Sequence, residues 1–264
     1  MEPIIAAYTF CNTSFEAFLD GARDAGFPYV GIGFYKGYVD IPLENLSDED
    51  EAALRGALDA RGLQLCAIYG GVDLLADDGP ELLRRKLQGA ARFGVGVYDT
   101  GAISLDDDPD VRRRHVATFV DRIRTAGDHA DRLGITICLE THGGYTGHAD
   151  ACLEAMAQID HERVRLAYDP ANFLYYEGRR PEERLGELLP FIGHTHLKDH
   201  RGGKLANDFP AVGAGEVGYE TLLPALWEGG YRGPYTLERA VGEDDAQKAQ
   251  AMQAAYRYIR RLLG

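Results

Sequence analysis

Short apolar runs alternate with longer amphipathic segments from one end of this 264-residue chain to the other, and no linker or low-complexity tract interrupts them. Ile4–Tyr8, Tyr29–Gly33, Gln64–Tyr69, Val95–Asp99, Ile135–Glu140, Val164–Asp169, Phe191–His200 and Tyr235–Glu238 read as strands. Helices are predicted between and after them: Ser14–Ala25, Asp48–Ala60, a segment opening at Pro80, Pro109–Leu133, Asp150–Gln158, Pro181–Leu189, Tyr219–Glu228 and Asp244–Leu263. Strands that alternate with helices imply a parallel sheet, and eight such units at this length predict one domain over residues 1–264, an α/β (β/α)8 TIM barrel. A doubly wound open sheet is the alternative, but no G-x-G-x-x-G follows the first strand.

The bulk numbers exclude several functions. Net charge is −14, which repels a phosphate backbone, so nucleic acid is not an expected partner. The densest basic run, Arg112 to His115, follows Asp106, Asp107, Asp108 and Asp110 and reads as a solvated helix face. No apolar run is long enough to cross a bilayer, and the first residues lack the basic and apolar regions of a signal peptide, so a cytoplasmic protein without membrane contact is expected. Cys11, Cys66, Cys138 and Cys152 are widely spaced, with neither a zinc-ribbon pair nor a disulfide framework.

Side-chain parity says where chemistry would gather. Along the seventh strand His194, His196 and Lys198 share one face, while Thr195 and Leu197 take the other. The last four strands end or turn polar at Glu140, Asp169, His196 and Glu238, at spacings of 29, 27 and 42 residues. In each, small and polar residues alternate with large apolar ones, which turns those four groups inward at the C-terminal mouth of a barrel. Three carboxylates and an imidazole would repel one another there unless a cation sat among them. A divalent metal is the simplest resolution, and the oxygen-rich set favours Mn²⁺, Mg²⁺ or Co²⁺, with Zn²⁺ still compatible.

The motifs Leu139-Glu140-Thr141-His142-Gly143-Gly144, Tyr168-Asp169-Pro170-Ala171-Asn172, His194-Thr195-His196-Leu197-Lys198-Asp199, Gly213-Ala214-Gly215-Glu216-Val217 and Leu237-Glu238 resemble the xylose-isomerase-like barrel superfamily of sugar isomerases and epimerases. The likeness covers essentially the whole chain. It implies that Glu140, Asp169, His196 and Glu238 are metal ligands, and that Glu140 and Glu238 move protons as in ketose 3-epimerases. The related abasic-site endonucleases carry extra histidines for a trinuclear zinc site. Here the third and fourth strands end in Ile68-Tyr69-Gly70 and Tyr98-Asp99-Thr100, which disfavours endonuclease activity. Many ketose epimerases have histidine where this chain has Asn172.

The residues around the four have open roles at this stage. His142 shares the parity of Glu140 and either orients substrate or makes a loop hydrogen bond. Asn172 either binds a sugar hydroxyl or satisfies the turn after Pro170. His194 lies one inward step deeper than His196 and supports the site rather than binding metal. Lys198 and Asp199 resemble the His-Leu-Lys-Asp run of inosose dehydratases and some sugar-phosphate epimerases. Lys198 then either stabilises a leaving hydroxyl or an enolate, or balances Asp199 in a salt bridge.

Arg201 and Lys204, in the Gly-rich loop before the seventh predicted helix, raise the question of a phosphorylated sugar, but Asp208 and Glu216 share that loop and tip the reading towards a non-phosphorylated one. The first reading is a metal-dependent sugar or keto-sugar isomerase or epimerase that abstracts a proton next to a carbonyl through a metal-stabilised enediolate. Its runner-up is a lyase of the inosose or 3-dehydroshikimate dehydratase type, and a third is a sugar-binding barrel without turnover. The expected partner is a small sugar or polyol-derived ketone, and the resemblance allows a homo-oligomer.

Overall fold

The computed structural model describes residues 2–11, 14–35 and 38–264. Eight parallel strands close into a barrel in sequence order: β1 (Ile5–Tyr8), β2 (Tyr29–Gly33), β3 (Gln64–Tyr69), β4 (Val97–Gly101), β5 (Thr136–Glu140), β6 (Val164–Tyr168), β7 (Ile192–Leu197) and β8 (Tyr235–Leu237). β8 returns to β1 with Ala6 beside Thr236, so the sheet has no open edge. The helices surround it: α1 (Phe15–Ala25), α2 (Asp48–Asp59), α3 (Gly79–Arg92), α4 (Pro109–Leu133), α5 (Ala149–Ile159), α6 (Leu185–Leu188), α7 (Tyr219–Glu228) and α8 (Asp245–Leu263). Among the described residues, no helix is long and apolar enough to cross a membrane.

Helix boundaries follow local chemistry. Asp108 caps α4 by accepting from the amides of Asp110 and Val111, Pro109 occupies the first turn, and Gly134 ends the helix at φ 70°. The face carrying Phe119, Ile123, Ala126 and Ala130 is buried against the barrel wall. α1 and α8 pack side by side and cover the seam between the first and last strands, burying Phe18, Leu19 and Ala22 with Met252, Ala255 and Ile259. Full burial of one such Phe or Ile side chain contributes about 1.5–3 kcal/mol.

Two predicted elements change shape. The helix expected over Pro181–Leu189 shrinks to the single turn of α6 followed by a 3₁₀ turn at Leu189–Phe191, because Arg184 adopts a left-handed φ of 54° and Pro190 has no amide to continue the ladder. After β6 the chain instead forms a short turn at Pro170–Asn172 that runs into a π-helical turn over Phe173–Glu177, stopped by Gly178 at φ 62°. β4 begins two residues later than predicted. That shift places Asp99 in the middle of a strand.

Candidate active site

The C-terminal ends of β5 to β8 bring Glu140, Asp169, His196 and Glu238 together, with one donor atom from each lying within 4.8 Å of the others. Glu140 is the last residue of β5, and the Thr146 hydroxyl ties down its carbonyl at 2.7 Å. Asp169 is held more tightly. Its amide donates to Thr141 Oγ1 at 2.8 Å, and its Oδ1 accepts from the amides of Ala171 and Asn172, which leaves Oδ2 facing the cluster. A strand-end carboxylate that caps the next helical turn is thereby also a member of the site.

Lys198 continues the inward parity of β7. Its ammonium lies 2.7 Å from Asp169 Oδ2 and 3.0 Å from Glu238 Oε2, and the Tyr219 hydroxyl fixes its backbone carbonyl at 2.6 Å. Burial works against the charged ammonium, but Asp169 and Glu238 more than offset it and hold the lysine protonated. Burial likewise opposes the Glu238 carboxylate, yet Lys198 and His196 keep it low, at about 2. The sequence left the repulsion among the carboxylates to a metal alone; the structure assigns part of it to this lysine. Burial, and the charges of Glu238 and Glu140, nonetheless push the Asp169 carboxyl up to about 8 despite Lys198, so the three carboxylates remain short of positive charge. A divalent cation fits that deficit and that oxygen-rich donor set.

His196 adds the nitrogen donor. Its Nε2 lies 3.1 Å from Asp99 Oδ2, while Nδ1 is buried, 3.6 Å from Glu140 Oε1, and without a hydrogen-bond partner among the described residues. Burial opposes its charged form, but Asp99 and Glu140 push its pKa well up; with Nε2–H donated to Asp99, loss of the other proton would leave the Nδ1 lone pair facing the carboxylates, the arrangement by which an outer carboxylate orients a metal-binding imidazole. His194 sits below, with Nδ1 2.6 Å from the same Asp99 oxygen and Nε2 2.6 Å from Thr236 Oγ1. Both ring nitrogens are thus engaged. Burial would raise the Asp99 carboxyl, but His194 and His196 hold it at about 2. Asp99 is the residue that sequence reasoning passed over, and with the two histidines it forms a second compact group of metal-type donors.

The remaining expectations divide. His142 reaches the rim, where Nε2 lies 2.9 Å from the Tyr176 hydroxyl, and it lines a cavity of about 140 Å³ with Tyr69, Ser104, Glu140 and Thr146. Asn172 is buried, and its Nδ2 has no partner among the described residues. Asp199 does not pair with Lys198. Its carboxylate turns away and accepts four amides, from His200, Gly213, Gly215 and Val217, so it anchors the loop after β7. Gly215 has to be glycine, because a Cβ there would lie 2.2 Å from Asp199 Oδ1. Arg201 is not brought to the cluster; it ion-pairs with Asp208 at 2.8 Å on the exposed part of that loop.

A family model described as xylose isomerase-like TIM barrel matches residues 19–262. The chain belongs to this family. An inosose dehydratase from Serratia proteamaculans is 23% identical over 246 residues, covering 81% of this chain and 82% of the relative. A xylose isomerase-like barrel from Mycobacterium smegmatis, solved in complex with magnesium, superposes with a TM-score of 0.75 at 22% identity, covering 100% of this chain and 98% of that one. D-Allulose 3-epimerase from Methylomonas sp. does so with a TM-score of 0.77 at 19% identity, covering 99% and 98%. The relative and the epimerase are named for different reactions, and the two structures are similar to this chain in fold.

Proposed function

We propose that this chain, acting as one domain over residues 1–264, is a divalent-metal-dependent lyase that removes water from a polyhydroxylated ketone. The observation that carries the reading is the asymmetry of the site. Lys198 holds its ammonium against Asp169 and Glu238, whereas Glu140 is placed beside His196 with no ammonium on it. Elimination needs a base for the proton next to the carbonyl and an acid for the β-hydroxyl, two unlike groups at one site. Glu140 supplies the first and Lys198 the second. The carboxylate takes the α proton, the C–O bond to the hydroxyl breaks as Lys198 gives up a proton, and water leaves. Proton return from Glu140 to the lysine, through solvent, resets both groups.

Glu140, Asp169, His196 and Glu238 would hold the metal, with Mn²⁺, Mg²⁺ or Co²⁺ suited to the three carboxylates. Bound there, a divalent ion supplies Lewis-acid polarisation of the substrate carbonyl. His194 and Asp99 keep His196 oriented, and His142 and Asn172 offer hydrogen bonds to substrate hydroxyls. The epimerase reading retains support from one fact: Glu140 and Glu238 come from β5 and the end of β8 and meet in one cluster, so two carboxylates could serve opposite faces of a ketose. The inosose dehydratase relative and Lys198 together favour elimination, which reverses the preference drawn from the motifs.

Mass spectrometry on the metal-loaded protein in D₂O, with inosose, dehydroshikimate, ketoses and ketose phosphates, tests this. Loss of water from one of the ketones is the expected result. Uptake of one deuterium with no loss of water would make the protein an epimerase or isomerase. No change in any compound would favour a sugar-binding barrel without turnover.

A further inference from the structure

Beside the cluster, a cavity of about 500 Å³ is lined by Glu238, Arg239, Ala240, Val241, Gly242 and Lys248. Among the described residues, Arg201 is paired with Asp208, Lys204 with Glu177, and Lys198 with Asp169 and Glu238. Among the described residues, the side chains of Arg239 and Lys248 have neither a hydrogen bond nor an ion pair. Two unpaired cations lining one cavity are notable in a chain with 42 acidic residues against 28 basic ones.

The surroundings keep them available. The Arg239 guanidinium lies over the Phe209 ring, 5.2 Å from its centroid, and Phe209 packs in turn on Tyr175 and His200. Stacking engages the face of a guanidinium and leaves its edge N–H groups free to bind a planar anion. Lys248 stands in the first turn of α8, where the Asp244 carboxylate is already engaged in accepting from the Gln247 amide at 2.8 Å. Glu238, the acidic residue on the cavity wall, is ion-paired with Lys198 at 3.0 Å. The cavity on the Glu140 side differs in kind, since Tyr69, Ser104, His142 and Thr146 present hydroxyl and imidazole groups and no ammonium or guanidinium.

We propose that the Arg239–Lys248 cavity is an anion subsite of the same active site, which binds a carboxylate or phosphate on the substrate while the hydroxylated end lies towards Glu140. This deepens the reading of the site as one for polyhydroxylated ketones and rests on it. The substrate is then acidic, and its charged end fixes which carbon faces the base.

Calorimetry on the full chain with quinate, fructose 6-phosphate and neutral myo-inositol tests the subsite without requiring turnover. At low salt at least one anion should bind about tenfold or more tighter than myo-inositol, and that margin should shrink as salt rises. Arg239→Ala with Lys248→Ala should remove the margin and leave myo-inositol within about twofold. Lys248→Glu, a single change on a partly exposed helix position, tests the same point if the double variant folds poorly. Quinate alone would identify a carboxylate, and fructose 6-phosphate alone a phosphate. No preference for either anion, or a preference that survives both variants, overturns the subsite. Water loss from neutral ketones only would keep the lyase and remove the subsite; anion preference with no water loss from any ketone would do the reverse.

Discussion

The two halves of the barrel present different chemistry to the same mouth. From β5 to β8 come Glu140, Asp169, His194, His196, Lys198 and Glu238, nearly all buried and all charged or titratable. From β1 to β3 come aromatic rings: Tyr8, whose ring centroid is 5.4 Å from that of His196, and Tyr69 at the end of β3, stacked with Tyr35 at 5.5 Å. Among the described residues, Asp99 on β4 is the carboxylate of the first half that reaches the histidines of the second. Reactive groups crowded on one side need a low-dielectric wall on the other, since electrostatic interactions strengthen when water is excluded. On the proposed reading, proton movement belongs to the second half and shape to the first.

Glu140→Gln should break the second half most severely. Removing the base is expected to lower the rate of water loss by about 10³-fold, measured on the metal-loaded protein with whichever ketone is turned over. A rate within tenfold of the parent would take the base role away from Glu140. Lys198→Met comes next and separates the two steps. Water release should fall by about 10²-fold while exchange of the α proton for deuterium persists; equal loss of both would make the lysine a general support rather than the acid.

Asp99→Asn tests the exception in the first half. Asp99 is fully buried, and its Oδ2 serves both histidines. Taking away the charge should cost about 3 kcal/mol in urea unfolding and about 10- to 100-fold in affinity for Mn²⁺ or Mg²⁺ by calorimetry. Unchanged metal affinity alongside the stability loss would confine Asp99 to a structural role.

Much of this site was legible because strand parity is strict. The alternation that placed Glu140, Asp169, His196 and Glu238 inward also placed His194 and Lys198 there, and the closed barrel agrees for each. The Lys198–Asp199 salt bridge left open by the sequence does not form: neighbours on an extended strand point apart, and Asp199 turns away to hold its loop. Asp99 was missed although it stood at the end of the predicted fourth strand, because its partners lie 95 and 97 residues away, a pairing that no local pattern encodes. Pro181–Leu189 misled in the opposite direction, because its composition suits a helix while one left-handed residue at Arg184 interrupts it.

Tyr69→Phe is the mildest change and sharpens the assignment of shape to the first half. Tyr69 lines the cavity that contains Glu140, and burial, then the Glu140 charge, pushes its hydroxyl up to about 12. It therefore stays neutral across the pH range of any ordinary assay and can contribute only a hydrogen bond and a ring face. Loss of that one bond is worth about 1 kcal/mol, so KM for the ketone should rise about fivefold, with kcat and the pH profile of kcat held. A fall in kcat greater than tenfold, or a displaced pH profile, would show that the aromatic half takes part in proton transfer and that the division between the two halves is false.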